Sequence, residues 1–184
     1  MAKPDHPNEI LTVGHSNHEE REFLELVRGA GVELIADVRA NPRSRYPQFN
    51  RSALAGTMKA AGIGYAPLGG DLGGRREPQS DSVNTALEPG PFRGYADHMR
   101  GDRFAAGLEM LESLARERRT AVMCAEADWQ RCHRRLLADA LTARGWRVLH
   151  LEPTGALTLH ELPEFAVVEN GSVTYPEPQT SLEI

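Results

Sequence analysis

Residues 120–151 read TAVMCAEADWQRCHRRLLADALTARGWRVLHL, and their pattern decides the fold. Thr120 to Ala125 is a nearly unbroken apolar run, as in a strand covered on both faces of a sheet. From Arg131 to Arg144, Leu136, Leu137, Ala140 and Leu141 recur at helical spacing, and Gly145 ends the pattern. Trp146 to Leu151 is apolar again. A strand, a helix and a second strand in close succession form a right-handed βαβ unit with parallel strands.

The upstream chain repeats this alternation. Ile10 to Val13, closed by Gly14, reads as a first strand. Ser16 or Asn17 is placed to cap a helix with Glu19, Glu20 and Glu22 in its first turn and Phe23, Leu24, Leu26 and Val27 inward. Val32 to Val38 reads as a second strand, Asn50 to Ala61 as a helix, and Ile63 to Leu68 as a third strand. Residues 69–91, rich in Gly, Pro, Ser and Asp, read as a long loop, either a lid or a disordered segment. Short helical signals follow at Tyr95 to Arg100 and Phe104 to Arg116. Asn170-Gly171, between Phe165 to Val168 and Ser172 to Tyr175, is a hairpin signal. The expected fold is α/β, a mostly parallel sheet of about five strands flanked by helices, with a C-terminal β-hairpin. Its expected organisation is a flexible N-terminus at 1–9, an α/β domain at 10–151, and a hairpin with an acidic tail at 152–184 that packs on or extends that domain.

A chain of 184 residues suits one domain, and 40% apolar with 26% charged residues excludes wholesale disorder. No apolar run reaches the roughly 18 residues of a membrane helix, and the N-terminus has no signal-peptide core, so a cytoplasmic location and no membrane partner are expected. Cys124 and Cys132 are then expected as free thiols. Net charge is −5, but Arg39, Arg43, Arg45 and Arg51 fall in a stretch without acids, which allows a basic face on an acidic protein. The only lysines are Lys3 and Lys59.

In a parallel sheet, ligands bind beyond the carboxyl ends of the strands. The polar clusters follow strands: Gly14-His15-Ser16-Asn17, Asp37-Val38-Arg39, Leu72-Gly73-Gly74-Arg75-Arg76, and Cys124-Ala125-Glu126 leading into Arg131-Cys132-His133-Arg134. Asp37 reads as a general base or orienting carboxylate, and Arg39 as a phosphate ligand; the alternative is an internal salt bridge that fixes the loop. Arg43-Ser44-Arg45-Tyr46-Pro47-Gln48-Phe49-Asn50 interleaves arginines with aromatics, suiting phosphate contact plus base stacking, or else a surface loop with Tyr46 and Phe49 tucked into the core. For the 124–134 cluster, the Cys-x7-Cys-His spacing matches no usual zinc pattern, so no metal or other cofactor is expected. A Cys132 nucleophile lacks the C-x5-R loop of cysteine phosphatases. The preferred reading is a carboxylate-and-arginine site in which Glu126 acts as base or electrostatic stabiliser.

Together, Gly14-His15-Ser16, Asp37-Val38-Arg39, Pro42-Arg43-Ser44-Arg45 with Gln48-Phe49, Leu72-Gly73-Gly74, Gly94-Tyr95-Ala96-Asp97 with Met99, Cys124-Ala125-Glu126 and Cys132-His133-Arg134 resemble the domain of unknown function 488 family. The match covers roughly residues 10 to 151, in order. The resemblance implies a compact α/β domain, and an association of some members with base-excision glycosylases that remove modified pyrimidines from DNA.

The expectation that follows is a DNA glycosylase acting on a damaged or modified pyrimidine by base flipping. Glu126, Asp37 and His15 would be catalytic. Arg39, Arg43, Arg45, Arg75, Arg131 and Arg134 would bind phosphate, Tyr46 and Phe49 would stack or wedge, and Ser16, Asn17, Gln48, Tyr95 and His133 would contact substrate. Scarcity of lysine implies a monofunctional enzyme. The partner would be DNA carrying a modified base or a nucleotide-like small molecule. Two alternatives are a hydrolase or transferase of a nucleotide or small phosphorylated molecule, and a non-catalytic nucleic-acid or nucleotide-binding module.

Overall fold

A computed structural model describes residues 8–178. Most of the expected flexible N-terminus, residues 1–7, and the end of the acidic tail, residues 179–184, lie outside the described residues. The elements in chain order are β1 (Glu9–Gly14), α1 (Glu20–Gly29), β2 (Leu34–Asp37), α2 (Arg51–Ala60), β3 (Gly64–Pro67), α3 (Gly69–Leu72), α4 (Pro91–His98), α5 (Asp102–Glu117), β4 (Thr120–Cys124), α6 (Arg134–Ala143), β5 (Arg147–Leu151), β6 (Leu157–Leu159), β7 (Val167–Glu169) and β8 (Ser172–Thr174).

The sheet runs β3-β2-β4-β1-β5-β6, and its first five strands are parallel. Alternation along each strand divides the core in two. Leu11 and Val13 of β1, Ile35 of β2 and Ala121 and Met123 of β4 pack with Phe23 and Val27 of α1 and Leu54 and Met58 of α2. Ile10, Leu34, Ala36, Val122 and Val148 face the other way, toward Phe104, Leu108 and Leu111 of α5 and Leu136, Leu137 and Leu141 of α6. The α/β class and the hairpin follow the sequence reading. Asn170 (φ 51°) and Gly171 (φ 76°) both adopt the left-handed backbone that a two-residue type I′ turn demands.

Four details depart from that reading. The sheet has a sixth strand, β6, antiparallel to β5. Its three residues are all exposed, so it carries no burial pattern to read. Helix α1 is capped by Glu19 rather than Ser16 or Asn17; the Glu19 N–H donates to Glu22 Oε2 at 3.2 Å, closing a capping box. Helix α6 begins at Arg134, three residues after the expected start, because a short 3₁₀ turn occupies Trp129–Arg131. The expected lid or disordered loop at 69–91 opens with helix α3, and its middle is held by Asp97. That carboxylate accepts from the Gln79 N–H (2.8 Å), Ser82 Oγ (2.5 Å) and Asn84 Nδ2 (2.8 Å). Asn84 Oδ1 in turn accepts from the Tyr175 N–H, tying this loop to the C-terminal segment.

Candidate functional site

The connections leaving β1 and β2 carry α1 and α2 to one face of the sheet, whereas β4 leads to α6 on the other. Strand β4 lies between β1 and β2, so its carboxyl end faces a crevice on either side. The crevice toward β2 deepens into a cavity of about 370 Å³ lined by Cys124, Glu126, Cys132, His133, Arg75 and Phe92, with Arg39, Asn41, Arg43 and Arg131 around it. The size is typical of a small-ligand pocket. Local sequence makes room for it. A Cβ on Gly14 would stand 1.8 Å from the Glu126 carbonyl oxygen, so only glycine lets the Glu126 loop cross the end of β1. A Cβ on Gly74 would stand 2.8 Å from His133 Nδ1.

Toward α1 and α2, the wall of the site is a closed polar cluster. Asp37 Oδ1 accepts from the Arg39 N–H (3.1 Å) and Nε (2.9 Å), and Oδ2 accepts from Arg39 Nη2 (2.6 Å) and the Tyr65 hydroxyl (2.5 Å). Both members of the ion pair are buried. Burial opposes the charge on Arg39 and the carboxylate overrides it, so the guanidinium pKa is raised. Arg39 Nη1 also donates to the Phe49 carbonyl (2.7 Å) and to His15 Nε2 (3.3 Å), while His15 Nδ1–H donates to the Ser16 carbonyl (2.9 Å). These partners require a neutral imidazole, and burial, with Arg39 nearby, pushes the His15 pKa down to about 4. The Phe49 ring stacks on His15 with centroids 4.2 Å apart.

These positions correct several expectations. Asp37 is buried with four donors on its two oxygens, which makes it the anchor of Arg39 rather than a general base. His15 is 2% exposed and committed to backbone and Arg39, so it braces this wall. Phe49 is 1% exposed and belongs to the core, where it cannot wedge into a duplex. Tyr95 is also core; its hydroxyl donates to the Leu72 carbonyl (2.9 Å) and its ring packs 5.1 Å from that of His133. Arg134 is buried too, donating through Nη2 to the carbonyls of Glu126 and Ala127. It fixes the loop that carries Glu126 and is not available to phosphate.

Exposed around the cavity stand Glu126, Arg43, Arg75 and Arg131, with His133 half-buried inside. Arg75 holds a left-handed backbone, φ 59°, uncommon for a residue with a Cβ. Arg45 is exposed and lies over the half-buried Tyr46, its guanidinium 5.0 Å from the ring centroid. Ser16, Asn17 and Gln48 line neither this cavity nor its neighbour; Gln48 Nε2 instead donates to the His18 carbonyl at 3.0 Å. The neighbouring groove, about 700 Å³, is lined by Pro42, Ser44, Asn50, Arg51 and Ser52, and shares Asn41 and Arg43 with the cavity.

The sequence reading missed Phe92, Asn41 and Tyr65, single residues in segments without a motif. It also missed a buried relay behind Arg134. Arg134 Nη1 donates to Thr12 Oγ1 (3.4 Å), Thr12 to His150 Nδ1 (2.7 Å), His150 Nε2 to His160 Nδ1 (3.0 Å), and His160 Nε2 to Asp139 Oδ1 (2.7 Å). Trp129 stacks flat on His150 at 3.7 Å. His150 in β5 and His160 just past β6, ten residues apart, give no periodic signal.

Among the described residues, Cys124, Cys132 and His133 are the one grouping that brings three metal-type ligand atoms within 4.8 Å of one another. The two sulfurs lie 2.7 Å apart. Two thiolates on a tetrahedral zinc, with bonds near 2.3 Å, sit about 3.8 Å apart. The sulfurs are closer than a zinc-bound pair would be and farther apart than the roughly 2.05 Å of a disulfide bond.

No curated protein and no solved structure matches the chain. It does match, over residues 20–141, the family described as Domain of unknown function DUF488. That stretch runs from the first turn of α1 to the last turn of α6 and carries the Asp37–Arg39 anchor, the glycines of the 69–74 segment and the whole Cys124–Arg134 turn. The chain belongs to the DUF488 family.

Proposed function

We propose that this protein is a DNA N-glycosylase that removes a modified pyrimidine flipped out of the duplex. The observation that carries the reading is the adjacency of two cavities: a pocket of small-ligand size shares Asn41 and Arg43 with an arginine-bearing groove. Phosphates of an extended strand would lie along Arg43 and Arg51, and one base would turn inward, since chemistry on a base requires its removal from the stack. Glu126 is the exposed carboxylate at the cavity. In this reading it accepts a proton from the attacking water as the water oxygen bonds to the sugar C1′. The glycosidic C–N bond breaks with its electron pair on the base, and the carboxylate offsets the positive charge developing on the sugar. His133 and Asn41 border the space the base would fill. Lys59, on α2, lines neither cavity, which agrees with a monofunctional enzyme that leaves an abasic site.

The test is single-turnover incubation with labelled duplexes, each carrying one modified pyrimidine, then alkali and a denaturing gel. Strand cleavage at one lesion, abolished by Glu126→Gln and absent without alkali, is the expected result. Full excision by Glu126→Gln would overturn the role given to Glu126. No excision across the panel, with free nucleotides raising the melting temperature, would favour the second reading. That reading is a hydrolase or transferase of a small phosphorylated molecule, which the cavity and Arg75 and Arg131 would serve without the groove.

A further inference from the structure

The glycosylase reading makes no use of the two thiols under the cavity. Cys124 ends β4 and Cys132 precedes α6; both are buried, both line the cavity, and their sulfurs touch at 2.7 Å. The pair is asymmetric. Cys132 Sγ accepts the Arg134 backbone N–H at 3.5 Å, at the amino end of α6, and lies 3.6 Å from His133 Nδ1. Cys124 has no such helix end. The S–H of Cys124 donates to Cys132, which is the main reason the Cys132 pKa falls to about 6; burial works against this, and Arg134 adds to it. The same hydrogen bond, together with burial, pushes the Cys124 thiol up. One sulfur is thus a thiolate near neutral pH and its neighbour a protonated thiol, the division of labour found in reactive dithiols.

We infer that Cys124 and Cys132 form a redox-active dithiol that reduces small anionic disulfides entering the cavity, with Cys132 as the attacking thiolate and Cys124 as the resolving thiol. The anionic class follows from Arg43, Arg75 and Arg131, all exposed around the entrance and suited to carboxylates. Cys132 Sγ attacks one sulfur of the disulfide, whose S–S bond breaks and releases one thiolate, leaving a mixed disulfide on Cys132. Cys124 then passes its proton to the His133 imidazole, whose ligand nitrogen lies within 4.8 Å, and attacks Cys132 Sγ to expel the second thiolate. Two protein thiols are oxidised to one disulfide and the incoming disulfide is reduced to two thiols. The inference rests on the thiol geometry and is independent of the glycosylase reading.

The experiment exposes the reduced full chain to glutathione disulfide, alkylates the remaining thiols and measures intact mass with peptide mapping. Wild type should lose the mass of two hydrogens and resist alkylation at both cysteines. Cys124→Ser should stop at one glutathionyl group on Cys132, and Cys132→Ser should remain unmodified over the same time. The rate in wild type should be half-maximal near pH 6, and hydroxyethyl disulfide, which is uncharged, should react at least about tenfold more slowly if the arginines contribute one charge-assisted contact. Wild type that keeps two alkylatable thiols, or serine variants that react equally, would overturn the proposal. Equal rates for the two disulfides would overturn the anionic class. Should a serine variant fail to fold, wild-type mass and mapping decide the matter alone.

Discussion

Replacing Asp37 by asparagine separates an anchor from a catalyst. In the native protein the two Asp37 oxygens take four donors, three from Arg39 and one from Tyr65, at 2.5 to 3.1 Å, with both charged side chains buried. The amide of Asp37→Asn would carry no charge and would turn an NH2 group toward donors that need an acceptor. Arg39 would be left as an uncompensated buried cation, which costs about 3–5 kcal/mol. Against a typical total of about 5–15 kcal/mol this is large. With a urea slope of about 2 kcal/mol per molar, the unfolding midpoint should fall by roughly 1.5–2.5 M. Fluorescence of Trp129 and Trp146 reports the transition. The double variant Asp37→Asn with Arg39→Met should recover most of the loss, because removing both partners leaves no stranded charge. A loss under about 1 kcal/mol with no recovery in the double variant would refute the anchor. Lost activity at undiminished stability would return Asp37 to the list of bases.

Three further outcomes follow from the same geometry. His15 and His150 have pKa values lowered by burial to about 4 and about 3, so below the unfolded value near 6.5 the unfolded chain binds protons that the folded one refuses. Their contribution is complete above pH 6.5 and should decline as pH falls toward 4, at up to about 2.7 kcal/mol per pH unit for the two; urea midpoints that stay flat from pH 7 to 5 would contradict this. Phe49→Ala should cost about 3–5 kcal/mol as a core truncation, while Arg43→Ala should leave stability within about 0.5 kcal/mol and reduce the salt slope of DNA binding by about one, each read by urea melts and affinity titrations. Arg134→Lys keeps the charge but cannot span Glu126, Ala127 and Thr12 as the planar fork does; the melting temperature should drop with the salt slope of DNA affinity unchanged, and a slope reduced by one would instead make Arg134 a phosphate ligand.

The sheet was legible because parallel strands covered on both faces must be apolar over several residues, as Ile10 to Val13 and Thr120 to Cys124 are. Position at the strand ends was legible too, since the chain order of a βαβ fold brings the residues after β1, β2 and β4 to one edge. What could not be read was which arginine is buried. Arg39, Arg43 and Arg134 share one chemistry in sequence, yet Arg39 has Asp37 two residues away and Arg134 has the turned carbonyls of Glu126 and Ala127 beneath it, while Arg43 meets solvent. Those carbonyls face inward only because Gly14 lets the loop pass, a tertiary event with no local signature. Phe49 was ambiguous for a related reason: an aromatic on a proline-rich loop reads the same whether it meets a base or the His15 ring.

The placement of charge around the site has a consequence for its chemistry. The guanidinium groups of Arg39 and Arg134 are consumed by the protein itself, so they hold the wall and the Glu126 loop whatever occupies the cavity. The guanidinium groups left to solvent, Arg43, Arg75 and Arg131, stand around one exposed carboxylate and two buried thiols. A positive surround draws anions toward both groups. In the two proposed readings, a carboxylate suited to a proton and a thiolate suited to a soft electrophile share one entrance. Oxidation of the dithiol would remove the Cys132 charge next to His133, within the same cavity as Glu126. The proposed chemistry at the sulfurs and the proposed chemistry at the carboxylate would therefore be electrostatically coupled.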